Sequence, residues 1–289
     1  MSQRVTIGLV QMKSAASIAA NLARAESRVR SLAKRGAQII ALPELFLTPY
    51  FCQTKDKKFF GLAEPVPGPS VRALQDIARR NKVVLTTSVF EKGERGKCYN
   101  TAVVIDTDGK LRGTYRKMHI PDDPENFYGE AYYFTPGNLG VRVFKTRFAK
   151  IATLICWDQW FPEGARVAAA KGAQIIFYPT AIGYQLKAKS GINEAEHEAW
   201  QVIQRAHAIA NTVFVAACNR VGLEHRLRFW GTSFVADPYG RVLAQACTEK
   251  EEDVLVPCDL GVIDQMRKDW PFLAARKIGV GQAKSKGKS

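Results

Sequence analysis

The chain has 289 residues, 46% hydrophobic and 24% charged, with a formal net charge of +15. That balance is globular, and the length suits one large domain or two fused halves. No window holds 18 uninterrupted apolar residues, which argues against a membrane-spanning helix. The opening Met-Ser-Gln-Arg-Val-Thr-Ile lacks the zones of a signal peptide, so a cytoplasmic protein with no membrane partner is expected. The positive charge is scattered, apart from Lys284, Lys286 and Lys288 in a Gly/Ser-rich tail. A dispersed excess reads as a solvated surface. With no helix-turn-helix, RNP or zinc-finger pattern, no nucleic-acid partner is expected. Six cysteines form no CxxC pair, and four histidines lack ligand spacing. Neither a disulfide framework nor a metal site is therefore expected.

In chain order, residues 5–12 read as a buried strand and Ile18–Lys34 as a helix stopped by Gly36. A second apolar run, 38–42, ends at Pro43-Glu44. Ser70 reads as the N-cap of a helix with Val71, Leu74 and Ile77 on one face. A strand over 83–90 follows. Segments 101–106 and 111–115 flank Thr107-Asp108-Gly109-Lys110, a hairpin signal. Residues 150–155 read as a strand, and Pro162 opens a helix that Gly172 ends. Then come a strand over 174–178, a long helix over 194–211 and a strand over 212–218. Asp237-Pro238-Tyr239-Gly240 turns a second hairpin.

Part of this order is repeated literally. Gly36-Ala37-Gln38-Ile39-Ile40 returns as Gly172-Ala173-Gln174-Ile175-Ile176, and the two hairpin turns recur at a similar offset. The repetition suggests two halves with one plan, each a mixed sheet with helices on one face. Packed together, they give a four-layer α-β-β-α sandwich with internal pseudo-twofold symmetry. Convergence is the alternative, because helix, glycine and apolar strand is a common α/β phrase.

Three residues stand where chemistry could sit. Cys156 follows the apolar run Ile151-Ala-Thr-Leu-Ile155 and precedes the helix start at Pro162. A helix N-terminus or a nearby cation lowers a thiol pKa, whereas an average cysteine is a buried structural one. Glu44 closes an apolar run, and a carboxylate among apolar neighbours is costly unless paired. It could serve as a general base or be an ordinary strand-end glutamate. Lys117 follows the hairpin strand and could stabilise an oxyanion or be one of many surface charges. Spacing alone goes no further than a possible thiol enzyme.

Taken together, Leu42-Pro-Glu44, Tyr115-Arg-Lys117 and Cys156-Trp-Asp resemble the signature of the nitrilase superfamily of carbon–nitrogen hydrolases. Within it, Ala41-Leu-Pro-Glu-Leu-Phe46, Tyr115-Arg-Lys-Met-His-Ile-Pro121, Cys156-Trp-Asp-Gln-Trp-Phe-Pro-Glu163 and Phe177-Tyr-Pro-Thr-Ala-Ile-Gly183 are similar to the N-carbamoylputrescine amidases. The resemblance implies Cys156 as nucleophile, Glu44 as general base and Lys117, with the backbone N–H of Trp157, as the oxyanion hole. Glu130 matches a second family glutamate that orients the site. No cofactor is implied. The substrate would be a small amide or ureido compound; a family amidase or carbamoylase with another substrate remains the alternative. The Trp157–Phe161 wall carries acidic and aromatic residues instead of a carboxylate-pairing arginine, which suits a cationic amine tail. Asp158, Tyr50 and Glu194 are the substrate-binding candidates, with a helix cap the competing role for Asp158 and macrodipole complementation that for Glu194. The resemblance also implies homo-oligomers. Residues 1–270 would form the hydrolase domain, and 271–289 a C-terminal extension ending in a partly flexible basic tail.

Overall fold

The computed structural model describes residues 4–186, 189 and 191–276. Two six-stranded mixed sheets dominate it. The first has the spatial order Glu252–Asp259, Arg4–Gln11, Ile39–Ala41, Val84–Lys92, Cys98–Ile105, Leu111–Arg116. The second, read from the matching edge, runs Phe144–Lys145, Lys150–Thr153, Ile175–Thr180, Phe214–Asn219, Phe234–Ala236, Val242–Gln245. In each, three central strands are parallel and antiparallel strands close both sides. The plan expected from the repeated pentapeptide is therefore drawn twice, and each copy of that pentapeptide leads into the second parallel strand of its sheet.

Side-chain alternation along these strands builds the layers. Ile7, Leu9, Ile39 and Ala41 of one sheet pack against Ile151, Ile175, Phe177 and Phe214 of the other. Thr86 and Thr153 share a hydrogen bond of 2.8 Å across the same interior, so two buried hydroxyls satisfy each other between the sheets. The alternate residues point outward. Val10, Ile40 and Leu85 meet α1 (Ile18–Lys34) and α2 (Pro69–Asn81) through Val29, Leu32, Leu74 and Ile77. On the far side, Ala152, Ile176 and Val215 meet α3 (Pro162–Ala170) and α4 (Ile192–Asn211) through Ala165, Ala168, Trp200 and Ala208. The helix-sheet-sheet-helix order follows. Gly8 lets α1 lie close, because a Cβ there would stand 3.1–3.3 Å from Leu32, Ile40 and Ala37.

Several local expectations shift. Ser17 caps α1 through the Ala20 N–H, but Ser70 does not cap α2. That helix starts at Pro69 with Gly68 as N-cap, and Ser70 bonds Glu64 through both its N–H and its hydroxyl. Thr212 terminates α4 in a left-handed conformation instead of opening the next strand. The strand Glu252–Asp259 and a final helix, α5 (Gly261–Asp269), are additions to the elements read from sequence. Pro257 obscures that strand, and its place on the sheet edge explains why proline is tolerated. No helix among the described residues is long and apolar enough to cross a membrane. The basic tail, including Lys284, Lys286 and Lys288, lies outside the described residues.

Burial of this kind has a measurable weight. Ile7→Ala and Ile175→Ala, both at 0% exposure between the sheets, are each expected to cost about 2–5 kcal/mol in urea unfolding. Val167→Ala, 39% exposed on α3, should stay within about 0.5 kcal/mol. Equal losses at all three positions would show that the sandwich interior is not the main stabilising layer.

Candidate active site

Four side chains from separate segments converge at one end of the sandwich. Glu44 lies just beyond the strand Ile39–Ala41, in a turn where Leu45 takes a φ of +47°. A left-handed leucine needs external support, and both sheets supply it. The Thr87 hydroxyl donates to the Pro43 carbonyl at 2.9 Å, and the Leu45 N–H donates to the Ser88 hydroxyl at 3.1 Å. From the second sheet, Arg220 donates to the carbonyls of Glu44 at 2.8 Å and Leu45 at 2.9 Å.

Lys117 follows the strand Leu111–Arg116, with its backbone N–H held by the Asn100 carbonyl at 2.9 Å. Its side chain is fully buried between two carboxylates. Nζ donates to Glu44 Oε1 at 2.9 Å and to Glu130 Oε1 and Oε2 at 2.9 and 2.7 Å. Glu130 begins a short 3₁₀ turn, Glu130–Tyr132, and also accepts from the Tyr50 hydroxyl at 2.7 Å. Asn100 Nδ2 donates to Glu44 Oε1 at 2.7 Å. The second oxygen of Glu44, Oε2, is buried and has no hydrogen-bond partner among the described residues.

Cys156 starts a 3₁₀ turn, Cys156–Trp160, soon after the strand Lys150–Thr153. Its φ is +43° and it is 4% exposed, with Sγ 4.0 Å from the Ala181 carbonyl oxygen. This turn is built on Asp158, whose Oδ2 accepts from the Ile155 N–H at 2.9 Å and the Tyr115 hydroxyl at 2.8 Å. Its Oδ1 accepts from the His119 N–H at 3.1 Å and faces His119 Nδ1 at 2.8 Å. His119 in turn stacks on Phe161, ring centres 3.8 Å apart.

The electrostatics follow from burial and from a two-to-one count of carboxylates to lysine. Burial alone would lower the Lys117 pKa, but Glu130 and Glu44 outweigh it and hold the ammonium well above its usual range. Burial pushes Glu130 up to about 7; Lys117 opposes this and Glu44 adds to it. The Cys156 thiol is pushed well above its ordinary value, first by burial and then by Glu44, against the pull of Lys117. This corrects the expectation of a thiol made acidic by a helix terminus. The sulfur is a weaker acid here than an ordinary cysteine.

The three substrate-binding candidates are placed elsewhere. Asp158 is 2% exposed with both oxygens engaged, so it caps the cysteine's own turn. Tyr50 is buried and spends its hydroxyl on Glu130. Glu194 is exposed in the first turn of α4. None of the three lines the cavity of about 330 Å³ beside the cysteine, which is walled instead by Tyr128, Trp157, Trp160, Phe161 and Ile182 and by Glu196, two residues beyond Glu194. Sequence reasoning also missed Asn100, Arg220 and Glu224. Arg220 was visible as a charge closing the apolar run of the strand Phe214–Asn219. It is fully buried, and its NH1 bonds Glu224 at 3.0 Å while Glu224 accepts from the Tyr50 N–H at 2.6 Å. One ion pair thus fixes the backbone of both Glu44 and Tyr50.

Lys117→Met should leave two buried carboxylates facing each other and cost about 3–5 kcal/mol in denaturant unfolding. Adding Glu130→Gln should recover part of that loss. An unchanged midpoint in Lys117→Met would show that the carboxylates are not ionised together.

A model of the carbon-nitrogen hydrolase family matches residues 6–268. The chain is 42% identical to an N-carbamoylputrescine amidase of Solanum lycopersicum, covering 94% of this chain and 92% of that protein. It is 38% identical to a citrullinase of Francisella tularensis, covering 94% of this chain and 95% of the relative. A carbon-nitrogen hydrolase crystal structure from Helicobacter pylori superposes with a TM-score of 0.91, at 37% identity, covering 95% of this chain and 96% of the other.

Proposed function

The chain belongs to the carbon-nitrogen hydrolase family, and from that premise we propose that it hydrolyses N-carbamoylputrescine with Cys156 as nucleophile. The observation that carries the reading is the free Oε2 of Glu44. One oxygen of this carboxylate is tied down by Asn100 and Lys117, which leaves the other, buried and unpartnered among the described residues, as a fixed proton acceptor. A general base must be positioned before its pKa matters.

Glu44 Oε2 takes the proton from Cys156 as Sγ attacks the ureido carbon. The C=O electron pair moves to oxygen. Lys117 and the Trp157 N–H stabilise that charge. Trp157 stands at the start of a 3₁₀ turn, where N–H groups lack partners within the turn. Nζ has three N–H donors for two carboxylates, and when the two Glu130 oxygens share one of them another turns to the oxyanion. The tetrahedral intermediate collapses with the C–N bond, and Glu44 returns the proton to the departing ammonia. A thiocarbamate ester remains on sulfur. Glu44 then deprotonates a water that attacks the same carbon, and the C–S bond breaks with the proton returning to Cys156. The carbamate released loses carbon dioxide to give putrescine. No step calls for a cofactor. Residues 1–270 would act as one hydrolase domain in a cytoplasmic homo-oligomer.

Two full-length relatives support a ureido substrate, since carbamoylputrescine and citrulline share that group and differ at the tail. Ammonia release should be strong on N-carbamoylputrescine and weak on citrulline and N-carbamoyl-β-alanine. Cys156→Ala should abolish it with the fold intact, and Glu44→Gln should lower kcat by about 10²–10⁴-fold. Preference for either carboxylate-bearing compound would overturn the substrate while leaving the nucleophile in place.

A further inference from the structure

The reactive centre explains how a ureido group is cut, but not how the far end of the substrate is recognised. The cavity beside Cys156 supplies a candidate. Trp157 follows the nucleophile in sequence, and Ile182 follows Ala181, whose carbonyl faces Sγ. Tyr128 lines the cavity as well, and its hydroxyl bonds the Gly183 backbone, two residues from Ala181.

Two carboxylates, Asp123 and Glu196, line this cavity, and among its described lining residues there is no lysine or arginine. That is unexpected in a chain with 42 such residues and a net charge of +15. Asp123 is fixed by Asn126, whose N–H and Nδ2 donate at 3.3 and 2.8 Å. Glu196 is half-buried in α4 and makes no hydrogen bond or ion pair among the described residues. Burial, and then the charge of Asp123, raise its pKa. A carboxylate set among aromatic rings with no counter-ion among the described residues is unfavourable. The helix macrodipole does not account for it, because that effect fades after the first turn, which Glu194 already occupies.

We propose that Glu196, with Asp123 beside it, binds the distal ammonium of the substrate inside the cavity walled by Tyr128, Trp157, Trp160 and Phe161. The carboxylates supply charge-assisted hydrogen bonds, and the ring faces attract a cation and exclude water around the methylene chain. A tail that ends in a carboxylate is repelled. This assignment rests on the function proposed above, and it names Glu196 as the residue that sets specificity within it.

The test reads binding apart from turnover. Calorimetry on the Cys156→Ala protein compares N-carbamoylputrescine with n-butylurea, which keeps the ureido group and the four-carbon chain and lacks the terminal ammonium. The charged ligand should bind about tenfold or more tightly, as expected for a hydrogen bond to a charged group. Glu196→Gln in the same background should remove that preference, with n-butylurea as the reference, and Asp123→Asn should reduce it less. A preference that survives Glu196→Gln, or an equal loss for both ligands, overturns the assignment. A Glu196-dependent preference in a protein that fails to hydrolyse N-carbamoylputrescine would keep the subsite and sink the proposed reaction. Hydrolysis with the preference intact in Glu196→Gln would do the reverse.

Discussion

One buried lysine serves two buried carboxylates, and the rest of the site is arranged around that shortage of positive charge. Lys117 cannot leave without stranding Glu44 and Glu130, and neither glutamate can be solvated in place. The surplus negative charge is distributed. Glu130 holds its proton more readily than an ordinary carboxylate, and Cys156 beside Glu44 holds its proton more readily than an ordinary thiol. A site with two lysines would favour a resting thiolate. This one holds the thiol's pKa up and sets a carboxylate beside it.

Holding such a cluster requires backbone conformations that cost energy. Leu45 and Cys156 both take positive φ values, one in the Glu44 turn and one at the nucleophile. Each is over-determined by its surroundings. The Glu44 turn is clamped by Thr87, Ser88 and Arg220, and the cysteine turn is capped by Asp158, itself braced by Tyr115 and His119. These braces are polar and, apart from the partly exposed His119, buried, and each makes at least one hydrogen bond.

The sequence made the layered α/β plan legible because the evidence for it is periodic. Alternation marked the strands, glycine and proline marked the helix ends, and the repeated pentapeptide exposed the duplication. Glu44, Lys117 and Cys156 were legible through motif resemblance, each at the end of an element. The supporting residues were not. Asn100 looks like any residue of a hairpin strand, and Glu224 lies in a segment with weak periodicity; both gain meaning only when distant chain segments meet. Asp158 and Tyr50 were visible but misplaced, since spacing cannot tell a side chain facing a cavity from one turned inward to cap a turn or steady a glutamate. The cysteine's acidity was misjudged for a related reason. Helix-terminus reasoning sees the nearby turn but not the depth of burial or the facing carboxylate.

The hydrogen bond between Thr86 and Thr153 joins the two sheets close to where each delivers part of the site. Glu44 and Lys117 belong to one sheet, and Cys156 belongs to the other. The gap between base and nucleophile is therefore a dimension of the sandwich itself, set by the thickness of the inner side chains. A methyl group added or lost between the sheets acts as a shim that retunes proton transfer without touching any reacting atom.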